Sequence, residues 1–190
     1  MLKKLLSLLR RKKELAISRR VLEVHREPFC RHDDYLALAV PYDPVRKLHR
    51  RLEKLTGLQL INRGEAHVTV ITPSEYEVLK EIIAMEEIEE IALREKIQEA
   101  DLELICVGEG RIEVEGGEKR TYFIVVKSEK LRRIRECIEE VFRARGGREE
   151  AFVAANYYPH ITIGFTDEDL HFEQGVIKDN RSCRYPLRVR

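Results

Sequence analysis

His67-Val68-Thr69-Val70 and His160-Ile161-Thr162-Ile163 are two copies of one pattern, His-x-Thr-x with an aliphatic residue at each x. Each copy sits in a run rich in β-branched residues, AHVTVIT over 66–72 and HITIGF over 160–165, so each is expected to be a strand. Strand side chains alternate between faces. His67 and Thr69 therefore share one face while Val68 and Val70 share the other, and the same holds for His160 and Thr162 against Ile161 and Ile163. Six His and six Thr in 190 residues give roughly 0.2 His-x-Thr pairs by chance, so two copies in matching strands form a signal.

The surroundings of the two copies also match. Upstream of the first, residues 35–40 (YLALAV) read as a buried strand closed by Pro41 and Pro44. Val45, Leu48, Leu52 and Leu55 then form the apolar stripe of a helix that Gly57 ends. Upstream of the second, residues 122–127 read as a strand, and Leu131, Ile134, Ile138, Val141 and Phe142 mark a helix that Gly146-Gly147 ends. Between the units, Ser74 and Glu77 offer a capping box that starts a helix running towards Gln98, open to a break and including an acidic insert over 81–99, and strands follow over 101–107 and 111–115. The second of these strands turns through Gly116-Gly117 into a hairpin. The repeated strand-helix-strand plan predicts an α+β fold of two pseudo-symmetric lobes, with two antiparallel sheets and outer helices around a central cleft. Such a cleft brings the two histidines together. Residues 34–190 are assigned to this domain and residues 1–33 to a basic N-terminal extension.

Composition bounds the alternatives. Hydrophobic residues make up 43% and charged residues 36%, a globular balance rather than a disordered or membrane one. The formal net charge of +1 hides an asymmetry: eight basic residues against Glu14 alone put +7 on residues 1–20 and leave −6 on the other 170. Leu2, Leu5, Leu6 and Leu9 lie at helical spacing in that arm, which has three readings: a helix packed on the domain, an RNA-contacting arm, or a membrane-surface helix. No transmembrane segment is seen. Cys30, Cys106, Cys137 and Cys183 are far apart with no C-x-x-C, so reduced thiols in a cytoplasmic protein are expected. Asn and Gln are scarce, a bias of proteins from heat-loving organisms.

Paired imidazoles and hydroxyls suit the opening of a phosphodiester. The attacking oxygen loses a proton as the leaving oxygen gains one, and His does either near neutral pH. The hydroxyls of Thr69 and Thr162 can donate to phosphate oxygens, and a protonated histidine supplies the positive charge that a metal supplies elsewhere, so no cofactor and no metal is called for. On these residues the chain resembles the two-histidine (2H) phosphoesterase superfamily, of the RNA 2′-5′ ligase-like or 2′,3′-cyclic phosphodiesterase type. That family carries H-x-[TS]-x on two lobes, the second copy often after proline, as Pro159 precedes His160. The resemblance runs from about residue 35 to the C-terminus. It implies His67 and His160 as catalytic residues, Thr69 and Thr162 as phosphate ligands, and RNA ends or cyclic nucleotides as substrate. Other RNA end processing, meaning 3′ exonucleolytic trimming or 2′-5′ ligation, uses the same residues, and a non-catalytic RNA-binding module remains the contrasting class.

Further residues are weighed against blander roles. Tyr158 is placed to stack a nucleobase or to pack the rim. Glu65, two residues before His67, is expected to raise the pKa of that imidazole and favour it as the acid. His25, Cys30 and His32 fit no common metal spacing. His49 is expected at the surface, His171 in a structural place, and Arg132, Arg133 and Arg135 on a solvated helix face.

Overall fold

The structure, a computed structural model, describes residues 13–27 and 30–190, with residues 30 and 31 described by their backbone. In chain order the elements are β1 (Leu15–Ile17), β2 (Cys30–Arg31), β3 (Leu36–Ala39), α1 (Tyr42–Thr56), β4 (His67–Ile71), α2 (Pro73–Leu79), α3 (Met85–Arg94), β5 (Glu103–Val114), β6 (Gly117–Lys127), α4 (Glu129–Ala144), β7 (His160–Phe165) and β8 (Cys183–Val189), with short 3-10 turns between them. Both motif strands form where the β-branched runs predict. Among the described residues the strands make one sheet in the order β1-β8-β5-β6-β7-β4-β3-β2, antiparallel except where β1 joins β8.

The α+β class is as expected; the two separate sheets are not found. The two strand-helix-strand units, β3-α1-β4 and β6-α4-β7, meet where β4 pairs with β7 through Val68 and Ile161. The reason lies in the motif. Val68 and Ile161 point away from the His-Thr face and are fully buried, which stabilises by roughly 1.5–3 kcal/mol per side chain. Pairing the two strands sends both side chains into one core and removes two open sheet edges.

That core lies on the helical side. Val68, Val70, Ile161, Ile163 and Ile124 pack there with Val45, Leu48 and Leu52 of α1 and Leu131, Ile134 and Ile138 of α4. Helix α1 stops at Gly57, whose φ of 73° is left-handed and costs little without a Cβ. Helix α4 starts at Ser128, whose hydroxyl accepts from the Leu131 amide at 3.3 Å. The capping box of the acidic helical stretch is Thr72 with Glu75, two residues earlier than Ser74 with Glu77. The Thr72 hydroxyl accepts from the Glu75 amide, and the Glu75 carboxylate accepts from the Thr72 amide. Pro73 at the first helical position fixes that start. The stretch breaks between Leu79 and Met85, giving α2 and α3. The two strands expected over 101–115 are a single one, β5.

The opposite face of the sheet is where the chain after β7 lies. Gly108 and Gly110 of β5 clear space for it: a Cβ on Gly110 would sit 2.3 Å from Val176, and one on Gly108 would sit 2.8 Å from Ser182. Phe123, Val125, Leu170 and Val176 close a second, smaller apolar cluster there. Cys106 and Cys183 form a disulfide beside it, which overturns the expectation of reduced thiols at these two positions. β5 and β8 are sheet neighbours, and their Cα atoms lie 5.7 Å apart, within disulfide reach. A separation of 77 residues gave no hint of that adjacency. Cys137 is a free, buried thiol in α4.

The leucine stripe at 2–9 lies outside the described residues. The described part of the basic segment packs onto the domain: β1 pairs in parallel with β8, and Val21 and Val24 enter the main core. No described helix is long and apolar enough to cross a membrane.

Candidate active site

His67 and His160 each open their strand, and the alternation expected for strands holds, with each His and Thr on the face opposite the main core. His67, Thr69, His160 and Thr162 all line one cavity of about 390 Å³. A second chamber of about 280 Å³ shares Thr69 and His160 with the first and adds Tyr158, Phe172 and Lys178. The loop after α1 closes one side of the cleft. Asn62 donates to the Ile163 carbonyl at 2.7 Å and accepts from the Tyr42 hydroxyl at 2.6 Å, holding the adjacent Arg63 at the wall. Across the mouth, the Ser74 hydroxyl donates to Glu173 at 3.2 Å.

The two motifs share a pattern but not an environment. His67 Nδ1 faces the Glu65 carboxylate at 3.4 Å, so the expected contact exists. Burial nevertheless lowers the His67 pKa: Glu65 pulls it up, and Arg63 and His32 add to the fall. The expectation of a net rise is therefore corrected. His160 Nδ1 lies 2.8 Å from the Tyr158 carbonyl, which can only accept, so this nitrogen carries the proton and Nε2 carries the lone pair. Nε2 in turn accepts from the Lys178 ammonium at 3.1 Å. Burial first, and the Lys178 charge second, bring the His160 pKa down to about 3. The hydroxyls differ as well. Thr162 donates to Asp169 at 2.9 Å, while Thr69 takes part through its carbonyl, which accepts from the Tyr157 hydroxyl at 3.0 Å.

Asp169 and Lys178 are the site residues that the sequence did not reveal. Both side chains are only 3% exposed, and they are joined by a 2.8 Å ion pair. The same carboxylate accepts from Thr121 at 2.7 Å, with Arg63 and His171 each 3.8 Å away. Its pKa is low because the Lys178 charge and these hydrogen bonds outweigh burial. Neither residue belongs to a periodic strand or helix, and seven to eighteen positions separate them from the motif residues they touch, so no spacing rule points to them.

Several expectations are corrected by their surroundings. His171 lines the cavity with the motif histidines instead of standing apart. His49 is mostly covered and lies 3.1 Å from the Leu60 carbonyl. Arg135 is 1% exposed rather than solvated. Its guanidinium donates to both oxygens of Glu75 and to the carbonyls of Val70 and Ala154, between the rings of Phe152 and Tyr157. Leu131, Ile134, Arg135 and Ile138 fall on one helical stripe, and that spacing was the available signal. Tyr158 stacks on Phe172, with centroids 6.2 Å apart and planes within 14°. His32 stacks on Tyr35 at 4.0 Å beside His67.

Residues 34–171 match the family model described as Swiss Army Knife, 2H phosphoesterase domain. No curated protein matches the chain.

Proposed function

This chain belongs to the 2H phosphoesterase family, and from that premise we propose that it is a metal-independent phosphodiesterase opening 2′,3′-cyclic phosphates, on RNA ends or on small cyclic nucleotides. The observation that carries the reading is the convergence of His67, Thr69, His160 and Thr162, from two separate strand-helix-strand units, on one cavity. At about 390 Å³ that cavity falls within the range of roughly 300–1,000 Å³ usual for small-ligand sites.

Water attacks phosphorus in line with the departing ribose oxygen. One imidazole takes the proton from water as the new P–O bond forms, and the other gives a proton to the ribose oxygen as the old P–O bond breaks. Departure of the 3′ oxygen leaves a 2′-phosphate. Thr69 donates to a non-bridging oxygen, and Thr162 does so by turning its proton from Asp169 to the phosphate. Phosphate charge entering the cleft raises the pKa of nearby imidazoles and so supplies the imidazolium that the acid step needs. Phe172, 62% exposed and backed by Tyr158, offers its outer face to a base of the substrate.

Cyclic mononucleotides and cyclic-ended oligonucleotides, each assayed with EDTA present, test the reading. Ring opening unaffected by the chelator is expected. Binding without product would convert the enzyme into an RNA-binding module, and loss of turnover with EDTA would remove the metal-independent mechanism.

A further inference from the structure

The motif histidines are related by sequence pattern, yet one of them has a buried lysine on its lone pair. Lys178 Nζ is 3.1 Å from His160 Nε2 and 2.8 Å from Asp169 Oδ1, and it lies 5.4 Å from the centre of the Phe123 ring. An ammonium donates and never accepts. With Nδ1 already donating to the Tyr158 carbonyl, the imidazole is held as the neutral Nδ1–H tautomer. His67 is placed differently: its Nδ1 faces the Glu65 carboxylate at 3.4 Å, and among the described residues no lysine or arginine is seen hydrogen-bonded to its ring, Arg63 acting on it only through its charge.

We propose that Lys178, clamped by Asp169, divides the labour between the two histidines: it fixes His160 as the proton acceptor, masked until an anionic phosphate draws the ammonium away, and leaves His67 as the donor. This rests on the phosphodiesterase reading above. Imidazole Nε2 has one lone pair, so a substrate water reaches it only when the lysine N–H leaves. A non-bridging phosphate oxygen is the stronger acceptor. When it takes the lysine N–H, the ammonium stays paired with Asp169, Nε2 is released to the attacking water, and no proton is lost or gained in the exchange. Cleavage is thereby tied to the presence of a phosphate anion.

The electrostatics agree with that geometry. The charges acting on His160 are those of Lys178, Asp169 and His171, beside its contact with the Tyr158 carbonyl; those acting on Lys178 are Asp169, Arg63 and Glu173, with the His160 ring in contact with it. Burial lowers the Lys178 pKa and Asp169 opposes that fall, so the ammonium sits in its cage under tension between the two. With Lys178 removed, the largest charge acting against His160 protonation is gone.

Imidazole nitrogen NMR on the free protein, beside the pH profile of kcat/KM, tests this. In the wild type the His160 ring should show a protonated Nδ1 and stay neutral down toward pH 3. In Lys178→Met its titration should move up toward the ordinary 6.5, and the acidic limb of kcat/KM should move up with it. Lys178→Arg should restore the low titration. Since Lys178→Met leaves Asp169 buried without its cation, the neutral pair Lys178→Met with Asp169→Asn serves as a second variant; an upward movement is again expected, smaller because the upward pull of Asp169 on His160 is removed as well. A His160 titration unmoved in both, or a wild-type ring protonated on Nε2, would overturn the role given to Lys178. The NMR measurement needs no substrate, so a protein that opens no phosphodiester would instead overturn the function on which the proposal rests.

Discussion

At the residue scale, the two histidines differ through their partners more than through their strands. His160 is the more deeply set, and a backbone carbonyl and an ammonium hold its ring through its two nitrogens. His67 has a carboxylate at 3.4 Å, and in its pKa that carboxylate works against burial. The sign of a Glu65→Gln substitution follows. Glu65 raises the His67 pKa, so its neutralisation lowers that pKa further. If His67 delivers the proton, its reactive form is the imidazolium, which prevails below the pKa, and the alkaline limb of the kcat/KM profile moves to lower pH. An alkaline limb unchanged in Glu65→Gln would take Glu65 out of the acid's environment. The four motif side chains were legible from His-x-Thr-x and strand alternation alone. Asp169, His171 and Lys178 were not, because they come from irregular chain laid over the sheet, where no period relates position to direction.

At the scale of elements, each motif strand is held by the unit in front of it. Val68 and Ile161 tie β4 to β7, and α1 and α4 cover the pair from behind. Arg135 adds a polar fastening between α4, the end of β4 and the start of α2 through Val70 and Glu75. Removing one partner of such a buried pair leaves the other charge without compensation, which costs about 3–5 kcal/mol. Chemical denaturation of Arg135→Met is expected to show a loss of that order, and the double substitution Arg135→Met with Glu75→Gln should lose less than the two singles summed. A stability within experimental error of the wild type would mean that the pair is replaceable. The apolar stripes announce α1 and α4, whereas the start of α2 and the break before α3 carry no such mark. The charge of Arg135 points to solvent while its position on the apolar stripe points inward, and position prevails because the cage of carbonyls and rings that accepts it comes from segments 17 to 65 residues away. β8 is hard to read from the sequence because Pro186 interrupts its pattern; Pro186 stands opposite Cys106 of β5 and just before the Leu187–Val189 stretch that β1 covers, where a missing N–H is tolerated.

At the scale of the whole molecule, a repeated plan folds into one sheet with helices over one face and the cleft on the other. The repeat was visible in the sequence; the joining of its halves was not, since a single residue pair makes the seam. The chain from β7 to β8 finishes the site by carrying Asp169, His171 and Lys178 across glycine-cleared sheet, and the Cys106–Cys183 disulfide fastens its far end to β5. A cross-link across 77 residues restricts the unfolded chain by roughly 4 kcal/mol in the loop-entropy view. Reductant should therefore lower the thermal midpoint of the wild type, and Cys106→Ser with Cys183→Ser should match the reduced protein; equal midpoints with and without reductant would show that the link contributes nothing. The central claim is that His67 and His160 work as one unit on one phosphorus. It is tested most directly by kcat/KM for 2′,3′-cyclic phosphate opening in the wild type, His67→Ala, His160→Ala and the double variant. Each single variant is expected to lose roughly 10²–10⁴-fold, with the double falling little further, since removing one member of a concerted pair already disables the other. Wild-type turnover in either single variant would contradict the account.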